Sequence, residues 1–429
     1  MSWVLPSRLT KNPAQKRGDT MNPLFVGIDA GSRQNAIYIM LPDGSKHSSF
    51  TVQNNLGGAQ SLVKRVAAAA LDQHLNHIVF GLEATSVYGD NLVCFLREDA
   101  HLRPFSCKIH VLNPKQVKKF KDAYPELPKN DAIDAFVIAD HLRFGRITAA
   151  VYMDDYRYKA LQNLTRARFY SVQNLTREKQ RFMNYLFMKF SGLAQEKVFS
   201  NNYGTTALAV FEEFKSPEEL ATISLDVLTT FLIEKGKNRF PNPEKVAKAV
   251  QAAARGSYRL PKTVNDSVNQ VLSISISSMR ALQAQIKAFD KEIERQFENI
   301  PNTLTSVPGI GPVLSAGIIA EIGDINRFKS HAAIAKYAGL AWSQHQSGQF
   351  EAQNTRLIRS GNRFLKYYLC EAANALVRCD TEYRSYYDLK FKEVNKFQHK
   401  RALALTARKL VRLLFRLLKE NRLYIPVTT

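Results

Sequence analysis

The chain is short of the features that would carry a protein out of the cell or into a bilayer. It has four cysteines, Cys94, Cys107, Cys370 and Cys379, none in a Cys-x-x-Cys spacing. That excludes a disulfide framework and a thiolate metal cluster, and buried reduced thiols in a cytosolic protein are expected. No apolar run reaches the roughly 18–20 residues that a membrane-spanning helix needs. Residues 1–20 carry Arg8, Lys11, Lys16 and Arg17 without the apolar core of a signal peptide. They read as a basic disordered extension, with Met21 an alternative start. Acids are scarce too: 38 Asp and Glu stand against 60 Lys and Arg, a formal net charge of +22. Such a surplus neutralises phosphates and releases counterions, which suits a nucleic-acid partner but is shared by ribosomal and membrane-surface proteins.

The few acids are not scattered. Asp29 closes the apolar run Leu24-Phe25-Val26-Gly27-Ile28, and Glu83 closes Ile78-Val79-Phe80-Gly81-Leu82. Both stand where a buried strand gives way to a turn. Asp131 and Asp134 lie three residues apart in Lys129-Asn130-Asp131-Ala132-Ile133-Asp134-Ala135, a spacing that puts both on one helix face. Neighbouring acids repel, and a pair of hard divalent cations such as magnesium gives them a reason to be neighbours. Two such ions about 3.5–4 Å apart activate the attacking oxygen and stabilise the leaving one in displacement at phosphorus. Taken singly, an Asp after a strand is ordinarily a turn or cap residue, and Asp131 suits the positive end of a helix dipole. The order of all four is what favours the metal reading.

The intervening pattern predicts strands over Gln34–Leu41 and His47–Val52 flanking Pro42-Asp43-Gly44-Ser45, a hairpin signal. It continues with a helix over Gly58–Leu71, a strand over Ile78–Leu82, a helix over Tyr88–Arg97, a strand over Ser106–Leu112 and the acid-bearing helix Asp131–Phe144. This β-β-β-α-β-α-β-α order is that of a ribonuclease H-like α/β domain, a mixed sheet with helices on its faces. It is placed at 21–150.

Beyond it the pattern turns helical. Tyr156–Phe190 and Thr263–Phe297 keep apolar residues at three- and four-residue spacing, as an antiparallel pair or a coiled-coil arm joining protomers would. Residues 191–262 form an insertion between them, and the arm with its insertion spans 151–300. A third, mainly helical unit fills 301–429. Its Val307-Pro308-Gly309-Ile310-Gly311-Pro312 resembles a helix-hairpin-helix turn, in which Gly309 and Gly311 let backbone amides approach a phosphate; a tight turn needs glycine in any case. Arg356, Arg359, Arg363 and Lys366 follow the polar stretch that holds Ser347 and Gly348. They and Lys129 are candidate nucleic-acid contacts. Ala404–Lys419 reads as a basic amphipathic helix.

Residues 24–146 resemble the Holliday-junction-resolvase-like domain of the DEDD transposases, the insertion sequence 110 family that includes the Piv and MooV invertases. The likeness lies in Gly27-Ile28-Asp29, Glu83-Ala84-Thr85, Asn113-Pro114 and the Lys129–Ala135 segment, with Asn130 where the family usually has Thr or Ser. It resumes at Pro308-Gly309-Ile310-Gly311, Lys336–Leu340, Ser347-Gly348 and Arg359–Leu365. The resemblance implies a magnesium-dependent enzyme that cuts and rejoins donor and target DNA of a mobile element. It implies Asp29, Glu83, Asp131 and Asp134 as metal ligands and Ser347 as the attacking residue, with Ser360 second. Composition and spacing alone make Ser347-Gly348 only turn chemistry. A noncoding bridge RNA as guide, a homo-oligomer (dimer or tetramer) whose subunits share sites, and a cytoplasmic, nucleoid-associated protein of a bacterium or archaeon are implied in the same way. A guide-free invertase uses the same chemistry. A Holliday-junction resolvase uses the same acids with water in place of Ser347. An actin-like kinase would need a second Asp-x-Gly hairpin and a glycine-rich adenosine motif, and the sequence has neither.

Overall fold

The computed structural model describes residues 22–84, 87–124, 127–128, 130–145, 147, 156–342, 346–347, 350–351, 357–358 and 360–426. The extension 1–20, Lys129, Arg356 and Arg359 lie outside the described residues. Two compact units divide the chain between residues 154 and 155.

The first unit is built on a five-stranded mixed sheet, in the order β3-β2-β1-β4-β5. Strands β1 (Leu24–Ala30), β2 (Gln34–Met40) and β3 (Lys46–Gln53) form an antiparallel meander. Helix α1 (Leu56–Asp72) leads to β4 (His77–Glu83), which lies parallel to β1. A three-residue 3-10 turn, Val87–Gly89, precedes α2 (Asp90–Glu98), so the single helix expected from Tyr88 is split. β5 (Ser106–Leu112) then pairs parallel with β4. The parallel crossovers carry their helices onto the sheet, as short strands with apolar faces require. Leu24, Val26 and Ile28 face a core shared with Leu62, Val63 and Val66 of α1 and Leu92 and Leu96 of α2. Phe25 and Met40 face the opposite layer, α3 (Pro114–Lys121) and α4 (Asp131–Phe144), through Val117, Ile138 and Leu142.

The second unit opens with α5 (Tyr156–Lys189), followed by α6 (Ser191–Gln195), α7 (Thr205–Glu213), α8 (Pro217–Thr222), α9 (Leu225–Gly236), α10 (Pro243–Arg255) and α11 (Lys262–Phe297). Leu161 shares a core with Ile293 and Phe297, while Phe182 shares another with Leu272 and Ile276, so α5 and α11 run antiparallel. The second core also takes in Phe211, Leu228, Leu232 and Val250 from the short helices between them.

The chain continues through α12 (Pro312–Ile322) and α13 (His331–Tyr337) to the two-residue strands β6 (Gln346–Ser347) and β7 (Phe350–Glu351). It ends in α14 (Arg363–Cys379), α15 (Thr381–Lys392) and α16 (Gln398–Glu420). Helix α16 starts six residues before the expected Ala404, because its first turn, Gln398–Arg401, is polar and carries no apolar periodicity to read. Cysteine burial departs from expectation: all four thiols are free, but Cys94, Cys107 and Cys370 are half-buried and Cys379, the last residue of α14, is exposed. Among the described residues no helix is long and apolar enough to cross a membrane.

Candidate active site

Strand alternation and two glycines bring the acids together. Gly27 of β1 lies opposite Gly81 of β4 in the parallel ladder. Because strand side chains alternate, Asp29 shares the face of Gly27, and Glu83 that of Gly81. Helix α4 lies on this face. A Cβ at Gly27 would stand 2.0 Å from the Ala135 carbonyl oxygen and 2.5 Å from the Ala139 nitrogen, and one at Gly81 would stand 2.8 Å from Leu142 Cδ1. Only hydrogen at both positions lets the helix settle so close. Its first turn, with Asp131 and Asp134, is thereby carried over the strand ends that bear Asp29 and Glu83. Asn130 Oδ1 accepts a hydrogen bond from the Ile133 amide at 2.8 Å, the N-cap role that Thr or Ser would fill.

Electrostatics register the crowding. Burial first, then Asp134 and Asp131, lift the Asp29 carboxyl from 3.8 to about 6 against the opposing pull of Lys121. Glu83 is raised first by burial, then by Asp29 and Asp134, again against Lys121. A group of oxygen donors that repel one another fits a hard divalent cation in chemistry. Among the described residues no group of three or more His, Cys, Asp or Glu side chains is arranged to hold a metal ion. Asp134 is engaged elsewhere: Lys121 Nζ, at the end of α3, donates to its Oδ1 at 2.5 Å. Sequence reasoning missed Lys121, one lysine among four on α3, since nothing in the spacing says which of them turns inward.

In the second unit, Ser347 lies in β6 and pairs with Phe350 of β7; its side chain is outside the described residues. Trp342 and Leu357 form an isolated antiparallel bridge, and the Ile358 amide donates to the Ala341 carbonyl at 2.9 Å. Gly339 and Gly361, both at positive φ, press together so tightly that a Cβ on Gly361 would stand 2.5 Å from the Gly339 nitrogen. Ser360, half-buried, is part of this joint.

Asn362 caps α14, its Oδ1 accepting from the Phe364 and Leu365 amides, and its Nδ2 donates to Glu321 at 2.6 Å. Glu321 is wholly buried and also receives Arg166 through Nε and Nη2, at 2.7 and 2.9 Å. This ion-pair joint was missed too; its signal was a lone acid inside the apolar run Val313–Ile322.

Gly309 takes φ +80 and packs on Ala375 and Cys379, whereas Gly311 has open space around its Cα, at the N-cap of α12. Arg363 is exposed, lies over the rings of Phe169, Tyr170 and Phe364, and donates to the Tyr170 hydroxyl. Lys366 is half-buried in the next turn of α14.

A family model described as transposase, for the DEDD type of insertion sequence IS110, matches residues 26–190 and so spans all four acids. A second, described as transposase of the IS116/IS110/IS902 family, matches residues 302–388 and spans Ser347. An uncharacterized 44.8 kDa protein of insertion element IS116 from Streptomyces clavuligerus is 30% identical over 419 residues, covering 94% of this chain and 96% of that protein. The 42 kDa protein of IS900 from Mycobacterium paratuberculosis is 24% identical, covering 95% and 98%. The putative mini-circle transposase for IS117 of Streptomyces coelicolor is 26% identical, covering 79% and 82%. The two matches, one over the acid-bearing segment and one over residues 302–388, define the class as transposase. The chain belongs to the IS110 family of transposases.

Proposed function

We propose that the protein is a magnesium-dependent DNA transposase that cuts and rejoins strands of a mobile element through a serine–DNA intermediate. One observation carries the reading: Asp29 and Glu83, on two neighbouring strands, share the sheet face covered by the helix that bears Asp131 and Asp134, and burial together with neighbouring carboxylates raises the proton affinity of Asp29 and Glu83. The sheet order β3-β2-β1-β4-β5 supports the ribonuclease H-like assignment of residues 21–150. Bound at these carboxylates, magnesium would polarise the scissile phosphate and ease deprotonation of the attacking hydroxyl. Ser347, in the unit at 301–429, forms a phosphoester with the strand as the phosphorus–sugar oxygen bond breaks, and the departing oxygen takes a proton. Attack by a second strand's hydroxyl reverses the step and restores the serine. Residues 151–300 serve as the helical arm. The family's bridge RNA would choose donor and target by pairing, with the protein acting as a homo-oligomer that brings acids and serine together.

The test uses a nicked suicide DNA of the element's end. Asp→Asn at 29, 131 or 134, or Glu83→Gln, should abolish cleavage while leaving the circular dichroism spectrum and DNA binding intact. Ser347→Ala should bind DNA yet give no covalent adduct, and the wild-type adduct peptide should map to Ser347. Normal cleavage by Asp29→Asn sinks the metal site; an adduct with Ser347→Ala moves the role to Ser360. Cleavage without any adduct favours a resolvase that uses water.

A further inference from the structure

We propose that Lys121 is the built-in counter-charge of the acid site, occupying Asp134 when no divalent cation is bound and competing with that cation for the carboxylate. The proposal rests on the reading of the four acids as a metal site.

The contact is direct, 2.5 Å from Nζ to Asp134 Oδ1, with the two side chains 23% and 30% exposed. Lys121 is therefore not a lysine waving in solvent. On the same short helix Lys115, Lys118 and Lys119 are exposed, and Lys121 alone of the four is half-buried. Its placement is held by the packing of α3 on α4: Val117 is buried, the Phe120 ring stacks on His141 at 4.7 Å, and Tyr124 just beyond donates to Asp140. Asp140 is itself fixed by Arg143 Nε at 2.7 Å.

The ammonium acts beyond its partner: among the described residues it is the cation that offsets burial and acid repulsion at both Asp29 and Glu83. A single positive charge answers three carboxylates only in part. A hard dication offers twice the charge and coordinates at about 2.0–2.1 Å in the case of magnesium, so it wins the exchange. It must nevertheless displace the lysine from Asp134 first, and apparent affinity falls by the strength of that pair. The arrangement keeps the ion-free acids from driving α4 off the strand ends, and leaves the site able to reload.

The experiment measures Mn2+ binding to the full-length protein at neutral pH, following free Mn2+ by electron paramagnetic resonance. A half-exposed ion pair implies that Lys121→Met binds Mn2+ roughly two- to fivefold tighter than wild type. Lys121→Gln should do the same, and keeps the question open to measurement if the Met variant does not fold. Lys121→Arg should match wild type. Lys118→Met removes the same charge from an exposed position and should leave affinity unchanged. Thermal denaturation without ions should show Lys121→Met melting below wild type. Unchanged or weaker Mn2+ binding by both Lys121→Met and Lys121→Gln overturns the proposal, as does equal tightening by Lys118→Met. If wild type itself binds no Mn2+, the metal-site reading falls and takes this proposal with it.

Discussion

Glu321 and the acid site withdraw carboxylates from water in opposite ways. Glu321 has no exposed surface, and its oxygens are met by Arg166 at 2.7 and 2.9 Å, Asn362 at 2.6 Å and Gln162 at 3.3 Å. Asp29 and Glu83 are only half-buried, yet the groups that act on them most after burial are other carboxylates. A buried charge that is fully paired is a structural joint. Here it holds α5, α12 and the N-cap of α14 together. Carboxylates that, among the described residues, answer chiefly to other carboxylates mark a place where a counter-charge must come from elsewhere.

The contrast breaks first, and hardest, at Arg166. Arg166→Met leaves Glu321 buried without its main cation, and should cost about 3–5 kcal/mol of stability in the second unit by urea denaturation. The double variant Arg166→Met with Glu321→Met should recover most of it. A loss below about 1 kcal/mol would mean that the joint holds nothing together.

Lys189 is a buried cation, the opposite case to Glu321. It is 1% exposed, with one donor contact to the Phe211 carbonyl at 2.8 Å, and burial pushes its ammonium from 10.5 down to about 7, with Lys215 adding to the fall. The folded pKa lies below the unfolded one, so between pH 7 and 10.5 the unfolded chain binds more protons, and wild-type stability rises with pH across that window. Lys189→Met should stabilise the protein by about 1–2 kcal/mol at pH 7 and below, with the advantage shrinking as pH climbs toward 10.5. Parallel stability–pH curves for the two proteins would contradict the buried-amine reading.

Much of the first unit was legible because its signals are local. An apolar run closed by an acid, twice, marks β1 and β4; Asp43-Gly44 marks the hairpin; Asn130 ahead of Asp131 marks the start of α4. Even the shared face of Asp29 and Glu83 follows from Gly27 and Gly81 two residues before them. What the sequence withholds is pairing across distance. Arg166 and Glu321 are 155 residues apart, and no period links them. Lys121 meets Asp134 only because Phe120 and Tyr124 fix the rotation of α3, and that depends on packing that no window of sequence contains. The second unit's long helices were readable from their apolar stripes. The short helices α6–α10 were read only as an insertion, since each is too brief to show a period.

The acid site gives the smallest stability effect and the most direct test. The Asp29 carboxyl is raised from 3.8 to about 6 in the folded protein. The folded state therefore holds its proton more tightly, and wild-type stability is lost as pH rises through that window. A shift of this size corresponds to roughly 3 kcal/mol, and solvent screening at a half-exposed group reduces it to about 1. Without divalent ions, Asp29→Asn should therefore be about 1 kcal/mol more stable than wild type above pH 6 and equal to it below pH 4. Saturating Mg2+ should reverse the order at pH 7.5, because the ion binds the folded wild type and stabilises it by mass action, while the amide offers a weaker ligand. Urea denaturation of the two proteins at that pH, with and without Mg2+, decides the matter: the account predicts that the curves exchange places. A wild type indifferent to Mg2+, or one that gains no more than Asp29→Asn, would contradict it.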